Sequence, residues 1–325
     1  MFRFGTAAPV EDLCYVAVDS SFTNPAVELV GGYLGVVKVV VVHYGSRCGG
    51  GSVEAKAYPG LWFNADLTSS VARYYEKRTG VELLERKKHG KADFDVLLLD
   101  GDLIPRSLSS RGSVGELHQK IADYTSKIIE LADSTDTAVV GVLKRSYSRD
   151  LVSIMGFSDL RLSDKAVMSL ILKPSEYVVA GSHPEIYGEL KKLRGKPGVP
   201  GDWLEARLRW YEFIVRNMPR GFTVKLAYYR APATIYPVAT KIEFVASGSL
   251  GEDELVSSLM QVSGETGIPV PVDYADSLSA ITKELKQTVY QKLLAELSKT
   301  AGVEARDAVL LLSLTNPEKL RSILS

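Results

Sequence analysis

Residues 94–101 read Phe94-Asp95-Val96-Leu97-Leu98-Leu99-Asp100-Gly101, a nearly unbroken apolar run that stops on an acid and a glycine. Val96 to Leu99 show no alternation of polar and apolar positions. A strand of this kind is buried on both faces, as in the parallel part of an α/β sheet. Upstream, residues 66–88 turn helical, with Val71, Tyr74, Tyr75, Val81 and Leu84 at mixed i+3, i+4 and i+7 spacings, and Gly90 ends the pattern. Downstream, Ser113 and Glu116 have capping-box spacing and open a helix that runs to about Ala132. Residues 137–143 form another buried strand and end on Lys144. Strand, helix and strand in this order predict a parallel pair with a covering helix.

Working outward, Val16 to Ser21 is a short apolar strand that ends at Asp19-Ser20-Ser21. Residues 33–43 are a long β-branched strand, and the glycine-rich stretch 45–51 is the turn that returns the chain along 52–58. The first 150 residues therefore predict a mixed α/β sheet: three front antiparallel strands followed by parallel strands, with helices on both faces. Residues 184–218 read as a helical insertion, interrupted by the Gly/Pro stretch 195–201 (GKPGVPG). Residues 222–229 and 235–246 return to strand, and a C-terminal helical part covers about 250–325, with helices at 250–264 and 276–297. There is no internal repeat, and the expectation is one elaborated domain over 1–325.

Composition narrows the function. With 46% hydrophobic residues over 325 positions, the chain can bury a core without staples. No apolar run reaches spanning length, and no charged-then-apolar leader opens the chain, so a cytoplasmic address is expected. The two cysteines, Cys14 and Cys48, make neither a disulfide framework nor a four-ligand zinc site, and Cys14 reads as a small buried hydrophobe. Net charge is zero, with 39 basic and 39 acidic residues, so bulk charge does not recruit a polyanion. Scarce Asn and Gln, four of each, point to a thermophilic source. His43, His89, His118 and His183 have no ligand spacing, no Gly-x-Ser-x-Gly occurs, and the glycine pairs lack Walker spacing.

The chemistry then falls to acids. Asp19 and Asp100 each end an apolar strand and are followed by small residues. Open α/β sheets bind ligands beyond the carboxyl ends of their strands. On adjacent strands about 4.8 Å apart the two carboxylates repel unless a cation holds them. Hard oxygen ligands of this kind suit Mg²⁺ or Mn²⁺. The helix at 66–88 offers a third carboxylate. At 100° per residue, Glu82 and Glu85 fall within the stripe of Val71, Tyr74, Tyr75 and Val81, whereas Glu76 faces away. Glu82 is the first choice and Glu85 the reserve; a surface pair with Arg78 or Arg86 is the alternative role for such an acid.

The order of Val16-Ala17-Val18-Asp19-Ser20-Ser21, then Val96 to Leu103, then Val140-Gly141-Val142-Leu143-Lys144 resembles the NurA nucleases. Lys241-Ile242-Glu243 and residues 267–276 (GIPVPVDYAD) fit the closing motifs of that family, so the resemblance covers about 13–290. It implies an RNase H-like fold and Mn²⁺-dependent cleavage of DNA (Mg²⁺ being the other candidate ion), with 5′–3′ exonuclease and single-strand endonuclease activity. It also implies a homodimer working with a hexameric HerA-type ATPase in DNA end resection, double-strand break repair and homologous recombination. Asp19 and Asp100 match the family's metal-binding aspartates, and Glu82, 18 residues before Asp100, matches its helical glutamate. The last motif departs from the family: Ile268 stands for a Tyr and Asp276 for a His. Asp276 still offers oxygen to a cation, while Ile268 neither ligates nor donates.

The expected site is therefore Asp19, Glu82, Asp100 and Asp276 as catalytic metal ligands, with Arg86, Lys87, Lys88 and Lys144 on the DNA phosphates. Residues 308–314 (AVLLLSL) and the helix at 278–297 are candidate dimer or partner surfaces. Two rivals remain at this stage. One is a scaffold subunit that keeps the nuclease fold but has lost turnover. The other is an actin-like ATPase or kinase, against which Ser20-Ser21 supply no glycine beside the first acid.

Overall fold

The computed structural model describes residues 2–300 except 25, 31, 50, 63–66 and 106–111; residues 308–314 lie outside the described residues. Among the described residues, ten strands form one mixed sheet. At its centre β2 (Tyr15–Phe22), β6 (Val96–Asp100) and β7 (Ala138–Leu143) lie parallel and side by side. On one flank β4 (Gly32–Tyr44) runs antiparallel to β2 and to β5 (Ser52–Trp62), and the short β3 (Val27–Leu29) also pairs with β4. These are the front antiparallel strands and the parallel strands that the sequence predicts. On the other flank β10 (Thr240–Val245), β9 (Lys225–Tyr229), β8 (Glu176–Ser182) and β1 (Arg3–Thr6) continue antiparallel from β7. The sequence reading had placed neither β8 nor β1.

Strand parity explains the two cores. Tyr15, Ala17, Leu98, Val140 and Val142 bury one face with Leu255, Leu259, Val272 and Ala275. The last four come from α7 (Glu252–Gln261) and α8 (Val270–Ser279). Val16, Val18, Leu97, Leu99 and Val139 bury the opposite face with Ala72, Leu84 and Ile128, from α1 (Leu67–Lys88) and α2 (Gly112–Ser134). Side chains two apart share a face, so Asp19, Asp100 and Lys144 belong to the α8 face and Ser20 to the α1 face.

A third core lies under the far flank. There α3 (Asp150–Ile154) and α4 (Asp164–Ile171) pack with α5 (His183–Lys191) and α6 (Gly201–Asn217). The last two are the helices expected over 184–218. The helix expected at 276–297 is in fact two. The first, α8, begins at Val270 and stops at Ser279, and α9 (Lys283–Thr300) follows. Cys14 is buried as expected, but it is bonded to Cys48. The pairing of Tyr15 with Tyr44 brings the start of β2 to the β4–β5 turn, a contact across 34 residues that spacing alone does not reveal. No described helix is long and apolar enough to cross a membrane.

Candidate active site

The parallel register sets Val18 opposite Leu99, so Asp19 and Asp100 emerge side by side where β6 ends and its pairing with β2 stops. Strand β2 itself runs on to Phe22, so Asp19 does not end it as expected. The third acid arrives from above. Asp276 lies near the end of α8, and single oxygens of Asp19, Asp100 and Asp276 all lie within 4.8 Å of one another. The last turn of α8 is anchored at this point. Ser279 Oγ donates to the Asp19 carboxylate, and Lys38 Nζ donates to the Leu278 carbonyl oxygen. Asp276 is thus a helical residue, not one at the start of a helix.

Gly141 in β7 makes room for the loop that follows Asp100. A Cβ there would lie 2.5 Å from the Leu103 amide nitrogen and 2.7 Å from the Gly101 carbonyl oxygen. Gly101 itself has φ of +108°, a backbone that residues with side chains rarely adopt. These glycines fix where the strand end turns, and with it the Asp100 carboxylate.

The helical glutamate in this cleft is Glu76, not Glu82. Glu76 is buried, and its Oε2 accepts from Ser20 Oγ at 3.1 Å. One turn on, Gly80 seats α1 closely: a Cβ there would lie 3.3 Å from Ile128 Cδ1 and 3.5 Å from Leu99 Cδ2. The buried stripe of α1 therefore runs through Thr68, Ala72, Glu76 and Gly80, small and polar residues that a count of large apolar ones overlooks. Glu82 is instead paired with Arg78 at 2.8 Å, and Glu85 with Lys127.

Electrostatics mark the cleft. Burial pushes the Glu76 carboxyl up to about 8, with Lys77 opposing and Asp19 and Asp100 adding to the rise. Burial likewise raises Asp100 to about 7; Lys144 pulls it back, and Asp19 and Asp276 push it further. Acids clustered this way hold protons in the absence of a cation. Lys144 Nζ lies 2.9 Å from Asp100 and 3.0 Å from Asp276. Burial alone would lower the Lys144 ammonium, but the two carboxylates raise it.

The surrounding cavity has a volume of about 500 Å³, in the range of ligand sites. Arg73, Lys77 and Arg145 bring basic side chains to its lining, and His118 brings the one histidine among the described residues there. Lys144 thus sits in the site, but Arg86, Lys87 and Lys88 do not. They occupy the opposite end of α1, ten to twelve residues and about 15–18 Å beyond Glu76. Arg86 pairs with Glu54 and Lys87 donates to the Phe94 carbonyl oxygen, at the end of the sheet where β6 begins. Spacing along the sequence had brought them near the wrong glutamate. Arg145 adjoins the expected Lys144, whereas Arg73 and Lys77 of the lining lie outside the stretches that the sequence marks as basic.

The donor set fits a hard divalent cation: three carboxylates converge, a fourth lies in the same cavity, and an ammonium group holds the charge in balance. No curated protein matches the sequence. A crystal structure of the NurA nuclease from Sulfolobus solfataricus is similar in fold, with a TM-score of 0.60 and 15% identity over 92% of this chain and 89% of that one. A crystal structure of NurA bound to dAMP and manganese aligns over 93% of this chain and 92% of that one, with 12% identity and a TM-score of 0.49. The NurA domain matches residues 15–281, from the first residue of β2 to just beyond α8, so both ends of the carboxylate cluster lie inside it. The chain belongs to the NurA family.

Proposed function

We propose that the protein is a divalent-metal-dependent nuclease that hydrolyses phosphodiester bonds of DNA. The convergence of the Asp19, Asp100 and Asp276 carboxylates within 4.8 Å carries this reading. These three acids would hold the ion, with Glu76 as the fourth carboxylate of the site. When bound, Mn²⁺ or Mg²⁺ lowers the pKa of an attacking water and stabilises charge on the leaving oxygen.

The chain's own groups do the rest. Asp19, within β2, and Asp100, at the end of β6, stand on hydrogen-bonded strands and supply a rigid base. Asp276 closes the site from α8, whose position Ser279 and Lys38 fix. Lys144 neutralises the cluster and offers positive charge to a phosphate in the cleft. Arg73, Lys77 and Arg145 extend that basic lining. No clustered histidine serves as a base among the described residues, and metal-assisted hydrolysis requires none. Asp276 in place of the family's His makes the triad wholly oxygen-ligated.

The finer reading follows the family: 5′–3′ exonuclease and single-strand endonuclease activity, a homodimer, and work beneath a HerA-type hexameric ATPase in end resection. Incubation with 5′- and 3′-labelled single- and double-stranded DNA in Mn²⁺, Mg²⁺ or EDTA tests it. Labelled mononucleotide released from the 5′ end, with metal and not with EDTA, is the expected result. Intact DNA under every condition would instead support the scaffold reading. A monomeric mass by light scattering at micromolar concentration would contradict the dimer.

A further inference from the structure

The segment after β7 separates two cavities. Arg145 lines the acidic cleft, and Tyr147, Ser148 and Arg149 line a second cavity of about 220 Å³. Two residues span at most about 7 Å of backbone. The loop after β6 forms another shared wall. Pro105 lines the cleft, and its carbonyl oxygen accepts from Trp210 Nε1 at 3.0 Å. The Ile104 amide donates to Glu243 Oε2 at 3.0 Å, and Trp210 and Glu243 both line the second cavity.

His183 lines this cavity at 2% exposure, and neither of its ring nitrogens has a hydrogen-bond partner among the described residues. Glu243 Oε1 lies 3.7 Å from His183 Nε2, beyond hydrogen-bond reach. Burial first, and then Lys241, hold the imidazole neutral, down to about 3. A neutral ring has one donor and one acceptor nitrogen, and leaving both unmet in a buried place is costly. The space is larger than a single bridging water needs. Its other walls are aromatic and basic with one further acid, Asp150. Trp203 is half-buried, and the Arg207 guanidinium sits 4.5 Å over the Trp210 ring and pairs with Asp150. Arg149 donates to the Ser158 and Leu160 carbonyl oxygens, while its buried Nε has no partner among the described residues.

A flat ligand with donor and acceptor on one edge and an anionic group attached matches these walls. We propose that the cavity is a second nucleotide-binding site, taking one unstacked base against the indole rings, with its edge on His183 and Glu243 and its phosphate toward Arg149. This rests on the nuclease reading for its setting, since the cavity adjoins the cleft across these two shared walls. The nucleotide comes either from the strand held in the cleft or from a released monomer.

Trp203 and Trp210 are two of the three tryptophans of the chain, so indole fluorescence reports on this cavity. The full-length protein is titrated in EDTA with a short single-stranded oligodeoxynucleotide and, separately, with a deoxynucleoside monophosphate. Affinity for a labelled strand is followed in parallel by anisotropy. Quenching by the oligonucleotide alone assigns the strand as the source, and quenching by the monophosphate assigns the released monomer. Trp203→Ala and His183→Phe should each weaken binding of the effective probe by about tenfold, in the range that loss of one base stack gives. His183→Phe keeps a planar ring in a buried place; if it fails to fold, Trp203→Ala decides, because that side chain is half-exposed. No quenching by either probe, or unchanged affinity in the folded variants, overturns the site. No step of this experiment needs cleavage: quenching by a protein that never cuts DNA retains this site and refutes the nuclease, and cutting without quenching does the reverse.

Discussion

The Lys144 ammonium lies 2.9 Å from the Asp100 carboxylate, two residues beyond the β7 residue that faces Asp100 across the sheet. The contact follows from register: Asp100 is opposite Val142, and Lys144 emerges on the same face. The lysine therefore supplies positive charge to the same carboxylates that would hold a divalent cation, and the two would compete. Replacing Lys144 by Met should tighten Mn²⁺ binding several-fold in calorimetry. It should also slow cleavage by about a hundredfold, the usual cost of losing one group that stabilises developing charge. Weaker metal binding in the variant would contradict the competition.

Glu76 and Glu82 offer a paired test on a single helix. Glu76→Gln should reduce cleavage by about a hundredfold or more, because it removes a carboxylate buried beside Asp19 and Asp100. Glu82→Gln loses only a partly exposed pair with Arg78, worth no more than about 0.5 kcal/mol, and should keep its rate within about twofold. Equal effects in a cleavage assay would remove Glu76 from the site.

Much of this was open to reading along the chain. The run from Val96 to Leu99 specifies a strand buried on both sides, and parity then places Asp19 and Asp100 on one face. The helix that carries the glutamate was legible, but its rotation was not. The inward stripe of α1 passes through Ala72, Glu76 and Gly80 before it reaches Val81 and Leu84, and at the first three close approach matters more than hydrophobicity. The same parity sets Lys144, expected on the DNA phosphates, beside the acids. The bond between Cys14 and Cys48 and the docking of α8 on Asp19 depend on contacts across 34 and 260 residues, which no local pattern encodes.

The raised carboxyl groups predict a pH effect on stability. Asp100 moves from 3.8 to about 7 and Glu76 from 4.5 to about 8, so the folded protein binds more protons than the unfolded chain between these values. Stability then falls as pH rises through that interval. The metal-free protein should lose about 5 °C in Tm between pH 5 and pH 8.5, and saturating Mn²⁺ should remove most of the loss. Calorimetric scans across this range check the sign; a metal-free Tm that rises toward pH 8.5 would contradict it.

Gly141 should be intolerant of a side chain. Gly141→Ala sets a methyl group against the Leu103 amide and the Gly101 carbonyl, and should destabilise the fold by about 2 kcal/mol. Cleavage should fall further than stability explains, since the same loop orients Asp100. Gly188→Ala is the control: within α5 a Cβ there meets nothing within 4 Å, and the change should leave stability equal or slightly higher in urea unfolding.

The most direct measurement is anomalous diffraction at the manganese edge from crystals soaked in Mn²⁺. The account predicts a peak among the Asp19, Asp100 and Asp276 carboxylates, with oxygens about 2.2 Å away and Lys144 moved off Asp100. A fully occupied soak with no peak there, and with the contact between Lys144 and Asp100 intact, would contradict it.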